Sequence, residues 1–189
     1  MILSIQDIER AHRFYSNGYW RDETMYAVLR RFATATQDRF FVRDAHVRLT
    51  YGDALAWVDS IAADLHESGV RLGDRVSIWL PSRVESALIL LACSSMGYVC
   101  NTSLHRDYTS AEIAGLLKKA CTVALFMQPD YGADARRHPI DEFLSELPGL
   151  KKIYRLAPPG VTKPSDGNWL SQGPLRPKAS LPHNSSLIG

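Results

Sequence analysis

Between Met25 and Phe32 the apolar positions Met25, Val28, Leu29 and Phe32 fall at helical spacing. Asp22 or Thr24 can cap that helix, because a short side-chain oxygen accepts an amide proton left free in a first turn. An earlier helix opens at Ser4 with Asp7, runs through Tyr15 and ends at Gly18. The period then shortens. Residues 40–43 and 47–50 are β-prone runs around Asp44, Ala45 and His46, which predicts a hairpin even though the turn lacks a glycine. At Thr50 the helical period returns. Thr50 and Asp53 have the spacing of a capping box, Leu55, Val58, Ile61, Ala62 and Leu65 share one face, and Gly69 stands where a C-cap favours positive φ.

Past Gly69, strands and helices alternate. Strands are predicted at 75–80, 98–101, 122–127 and 150–156, and helices at 83–95, 110–119 and 140–147. Thr109 or Ser110 caps the second of these helices, with Glu112 in its first turn. The 122–127 run is apolar on both faces, as strands of a parallel sheet covered by helices are. The pattern predicts an α/β fold: a doubly wound parallel sheet flanked by helices, with a short antiparallel hairpin. After Leu156 the texture changes, since six of the ten prolines lie in residues 157–189. The organisation expected is an α/β subdomain at 1–156, then a Pro-rich loop at 157–189 in which Leu187 and Ile188 begin a further strand.

Composition narrows the function classes. With 46% apolar and 22% charged residues the 189-residue chain is globular, of one domain or one and a half. A net charge of +2, without a basic stripe, argues against a nucleic-acid partner. The longest apolar run, residues 87–93, is too short to span a bilayer, and the N-terminus carries no secretory pattern, so a cytoplasmic location is expected. Cys93, Cys100 and Cys121 form no CxxC pair and read as buried, reduced thiols rather than metal ligands. No metal site is expected.

The usual chemical motifs are missing. There is neither GxxxxGK nor GxGxxG to bring backbone amides to a phosphate, no HExxH and no GxSxG, and no catalytic residue is assigned. Two loops remain. Ligands of open α/β sheets bind beyond the carboxyl ends of strands, which places His105 and Arg106 in one loop, and Arg136 and Arg137 in another, where they could meet an anion. The alternative is structural: Arg106 pairs with Asp107, His105 packs in its turn, and the second arginine pair is solvated.

One ordered series of residues goes further. The stretch LTYGDALAWVDSIAADLHESGVRLGDRVSIWLPSRVESALILLACSSMGYVCNTSLHRDYTSAEIAGLL, starting at Leu49, resembles the N-terminal region of the adenylate-forming acyl-CoA ligases. The resemblance rests on Leu49-Thr50-Tyr51, Gly69-Val70, Gly73-Asp74-Arg75-Val76, Leu80-Pro81, Met96-Gly97-Tyr98-Val99 and Tyr108-Thr109-Ser110-Ala111-Glu112-Ile113, and it covers about residues 14–156. Ser82 replaces the asparagine of many relatives, and Leu104-His105-Arg106 replaces an aliphatic residue followed by asparagine and proline.

The resemblance implies a carboxylic acid, fatty or related, activated by ATP with Mg2+ as an acyl-adenylate and then transferred to CoA. It also implies that the family's phosphate loop follows a strand near Leu187 and Ile188. The chain is therefore expected to be an N-terminal fragment, inactive alone and binding none of these cofactors tightly. Apolar surface on the 83–95 helix and at Leu187 and Ile188 is expected to drive homo-oligomers. Two alternatives stand beside this reading: an acyl-AMP ligase or adenylation domain that loads a carrier protein, and a non-enzymatic α/β binding module.

Overall fold

The fold is described from a computed structural model over residues 7–159 and 169–170. Helix α1, Ile8–Ser16, is capped by Asp7, whose side chain accepts from the Arg10 N–H. Ser4 lies outside the described residues, as do Leu187 and Ile188. No residue of α1 is buried; Phe14, Tyr15, Tyr19 and Trp20 instead pack edge to face on one another. In α2, Met25–Thr36, the cap is Thr24 rather than Asp22, accepting from Ala27 N at 3.1 Å. Leu29 turns inward as its period predicts, but Met25 and Phe32 stay 51% and 40% exposed.

The hairpin pairs β1, Phe40–Arg43, with β2, Arg48–Thr50. Its turn needs no glycine because Asp44 closes it: Oδ1 accepts from both His46 N and Val47 N at 2.8 Å, a side-chain substitute for a backbone turn. Helix α3, Tyr51–Glu67, opens with the predicted capping box of Thr50 and Asp53.

Five strands form the sheet, β3 Arg75–Trp79, β4 Val99–Asn101, β5 Thr122–Met127, β6 Lys152–Leu156 and β7 Trp169–Leu170, all parallel in the order β4-β3-β5-β6-β7. Alternate residues of each strand serve opposite layers, because successive side chains leave a strand on opposite faces. Val76, Ile78, Ala124, Phe126, Tyr154 and Leu156 pack with α2, α3 and α4, Val84–Met96. Trp79, Leu125 and Met127 pack on the other face, with α5, Ser110–Lys119. The three-layer α/β fold is the expected one.

Three expectations need correction. The helix predicted at 140–147 is a 3₁₀ helix, Ile140–Glu146, set between Pro139 and Pro148. Two prolines with only eight residues between them leave too little chain for a nucleated α-helix, so the tighter i→i+3 bonding wins. Helix α4 does not present its apolar surface for association. Val84, Leu88, Ile89, Leu91, Ala92 and Cys93 are buried, covered by α2, α3 and the sheet. The cysteines also differ from one another: Cys93 is buried, Cys100 partly so, and Cys121 is exposed.

Candidate functional site

Chain direction defines the edge to inspect. From β3 the chain crosses by α4 to β4, and from β5 it crosses by the 3₁₀ helix to β6 on the other side, on the opposite face of the sheet. The crossovers therefore part company between β3 and β5, and in such sheets the crevice outside the carboxyl ends opens at that point.

Here protein fills it. Arg83 stands four residues past the end of β3 and is the N-cap residue of α4, yet its side chain makes no cap bond. It is 9% exposed, and it is the only charged side chain among the buried described residues. Its guanidinium holds Glu85 with two bonds, Nε to Oε2 at 2.8 Å and Nη2 to Oε1 at 2.5 Å. Nη1 donates to Gln128 Oε1 at 3.2 Å, just past β5, and to the Ala157 carbonyl at 2.9 Å, just past β6. The first turn of α4 is served instead from the hairpin, where Asp44 Oδ2 accepts from Val84 N at 3.1 Å. Burial alone would raise the Asp44 carboxyl, but the amide protons of His46, Val84 and Val47 outweigh it and hold its pKa below the ordinary value.

The loops singled out from sequence lie on the same edge. Residues 102–109 follow β4 and residues 128–139 follow β5, and the two are tied by Ala133 N to the Tyr108 carbonyl at 2.9 Å and Ser110 N to Asp134 Oδ1 at 2.8 Å. Trp79, fully buried at the end of β3, pins both. Its Nε1–H donates to the His105 carbonyl at 3.2 Å, its ring meets Tyr131 edge on, and Gly132 passes so close that a Cβ there would lie 2.6 Å from the indole.

His105, Arg106, Arg136 and Arg137 are all exposed. The His105 ring rests against Tyr108 with centroids 6.1 Å apart. Arg106 makes no ion pair with Asp107, and neither Arg136 nor Arg137 has an ion-pair partner among the described residues. Three unpaired guanidiniums thus stand on two joined loops, free to meet phosphate oxygens. The same cannot be said of the pieces an ATP–Mg2+ complex needs. Among the described residues no cluster of three or more His, Cys, Asp or Glu could hold a metal, and the one buried cation is already neutralised by Glu85. The described residues therefore do not fit that group, and no step is derived through it. Away from the edge, a hydrogen bond between the Cys93 and Cys100 thiols raises the former and lowers the latter.

Sequence reasoning passed over Arg83 and Asp44. A signal existed for the first: an arginine at a helix start, two residues before a glutamate, with no capping side chain at its own position.

Comparison with known proteins agrees with this architecture. A family model described as AMP-binding enzyme matches residues 29–186. The salicyl-AMP ligase / salicyl-S-ArCP synthetase of Mycobacterium tuberculosis is 34% identical over 157 residues, which are 80% of this chain and 28% of that protein. The medium-chain fatty-acid–CoA ligase of Escherichia coli K12 is 29% identical over 157 residues, 79% of this chain and 27% of that one. The apo structure of MbtA from Mycobacterium smegmatis superposes with a TM-score of 0.66 at 29% identity, covering 95% of this chain and 32% of its own. The chain thus spans less than a third of the length of each.

Proposed function

Since the chain belongs to the AMP-binding enzyme family, whose model matches most of its length, we propose that the whole protein is an ATP-dependent acid ligase acting in the cytoplasm. Residues 1–156 serve it as an N-terminal α/β subdomain. The reaction is attack of a carboxylate on the α-phosphorus of ATP, with release of pyrophosphate, followed by displacement of AMP from the acyl-adenylate by the thiol of CoA. The acid is aliphatic or aromatic, since the relatives' names include both a medium-chain fatty acid and salicylate.

The observation that carries this reading is the family match over residues 29–186. The chemistry of the described edge adds a division of labour. It lacks an amide cradle and metal ligands, so adenylation falls to other parts of the protein. Its contribution is Arg106, with Arg136 and Arg137 on the adjoining loop, as donors to the phosphates of the incoming CoA. His105 supplies a further hydrogen-bond donor beside them. A planar guanidinium suits that task because its fork matches two phosphate oxygens at once.

A second reading is favoured by one relative, named for transfer to an aryl carrier protein: the acceptor would then be a carrier-bound thiol.

The experiment takes the full-length product of the gene. Acid-dependent exchange of labelled pyrophosphate into ATP tests activation, and thioester formation on the same preparation tests the acceptor. Arg106→Ala should leave exchange unchanged and raise the CoA KM roughly tenfold, as one charge-assisted contact would. No exchange with a panel of aliphatic and aromatic acids overturns the ligase reading. Exchange with thioester formed only on a carrier protein selects the second acceptor.

A further inference from the structure

Arg83 is the feature that the proposed chemistry does not absorb. Charged groups are buried only when paired, and Glu85 alone, two residues along, would pair this one. The guanidinium nevertheless spends a further nitrogen on two partners distant in sequence, Gln128 and Ala157. These are the first residues beyond β5 and β6, and Arg83 lies four residues beyond β3. One side chain therefore holds together the exits of three strands, at the point where the crossovers diverge. Its side chain does nothing for the first turn of the helix it begins. Arg83 gives α4 no cap bond, and that role has passed to Asp44, forty residues earlier.

Stability does not explain the arrangement. Replacing both members of a buried ion pair by apolar side chains of similar volume is often neutral or stabilising. A fork with fixed donor directions supplies geometry instead, because Gln128 and Ala157 can both be satisfied only at one relative setting of their strands. The Ala157 carbonyl is the decisive partner: beyond it the chain leaves β6, to return as β7 beside Arg155 and Leu156.

We infer that Arg83, anchored on Glu85, is a positioning residue that sets where the chain departs from β6 relative to β3 and β5. It thereby sets where the chain that leads on to the adenylating parts of the protein leaves the sheet, and only this last step rests on the ligase reading above.

Amide hydrogen exchange on this chain, without ligands, tests the first part. Arg83→Lys keeps the charge and an ion pair with Glu85 but has no fork to span Gln128 and Ala157. Arg83→Met combined with Glu85→Leu removes the pair while filling its space. Both should exchange the amides of Ala157, Trp169 and Leu170 about tenfold faster, with those of Ile78 and Leu125 within about twofold of wild type, since a local opening leaves the central strands protected. Unchanged rates at 157 and 169–170, or an equal rise across all strands, overturns the proposal. If the double variant does not fold, Arg83→Lys decides alone.

In the full-length product, Arg83→Lys should raise the ATP KM of pyrophosphate exchange about tenfold with kcat within about threefold. A normal KM beside altered amide exchange severs the link to the site. A wild type with no pyrophosphate exchange defeats the ligase reading and leaves the hydrogen-exchange result standing.

Discussion

Asp44 offers a direct measure of how far the hairpin and the sheet depend on each other. Its carboxylate accepts three amide protons, two that close the β1–β2 turn and one at the start of α4. Asp44→Ala removes all three acceptors. A hydrogen bond to a charged group is worth about 1.5–3 kcal/mol when buried, and loss of an N-cap about 1 kcal/mol. His46 is exposed, so water replaces part of the loss there. The expected cost is about 2 kcal/mol, or a Tm lowered by about 4–8 °C for a chain of this length. Asp44→Asn, which keeps one acceptor oxygen, should lose about half as much.

The pH dependence has a definite sign. A carboxyl whose folded pKa is depressed contributes its full stability above the unfolded value of about 3.9 and loses it as pH falls through the folded value. The gap between wild type and Asp44→Ala should stay constant from pH 7 down to about pH 5, then narrow below about pH 4. Urea titrations followed by circular dichroism across that range supply the measurement. A gap under about 0.5 kcal/mol at pH 7, the size of an ordinary surface substitution, would refute the reasoning; so would one that does not narrow in acid.

Gly132→Ala sets a methyl group 2.6 Å from the buried Trp79 ring, and overpacking of that kind should cost about 1–3 kcal/mol, with a shifted tryptophan emission; unchanged unfolding would show that the loop gives way freely. Thr109→Ala breaks the capping box of α5 and should cost about 1 kcal/mol in urea unfolding, with Thr109→Ser restoring most of it. Trp79→Phe removes the donor to the His105 carbonyl and should speed proteolytic cleavage within 102–109; equal cleavage rates would mean that packing, not this bond, holds the loop.

Sequence alone determined what depends on neighbours three or four residues away. The helical face of α3, its capping box Thr50/Asp53, the start of α5 at Thr109 or Ser110 with Glu112 in its first turn, and the doubly apolar strand β5 follow from side-chain spacing, since their partners lie within one turn or one pleat. The candidate anion loops were legible to the same depth: arginines just past strand ends could be placed on an edge, because the βα alternation already implies one. Their lack of ion-pair partners among the described residues could not be read, for Arg106 and Asp107 are adjacent in sequence and do not pair in the fold.

What tertiary structure decided is every contact whose partners are brought together by the order of the sheet. Strand order β4-β3-β5-β6 depends on which helix covers which face, and no local pattern states that. With the order set, Asp44 reaches Val84, and Arg83 reaches Gln128 and Ala157 across 45 and 74 residues. A charge beside a helix start reads as solvated until the exits of three strands close around it. The physical reason is range: capping and periodicity are bonds within a turn, whereas burial of a charge is settled by elements far apart in sequence that meet only in the folded sheet.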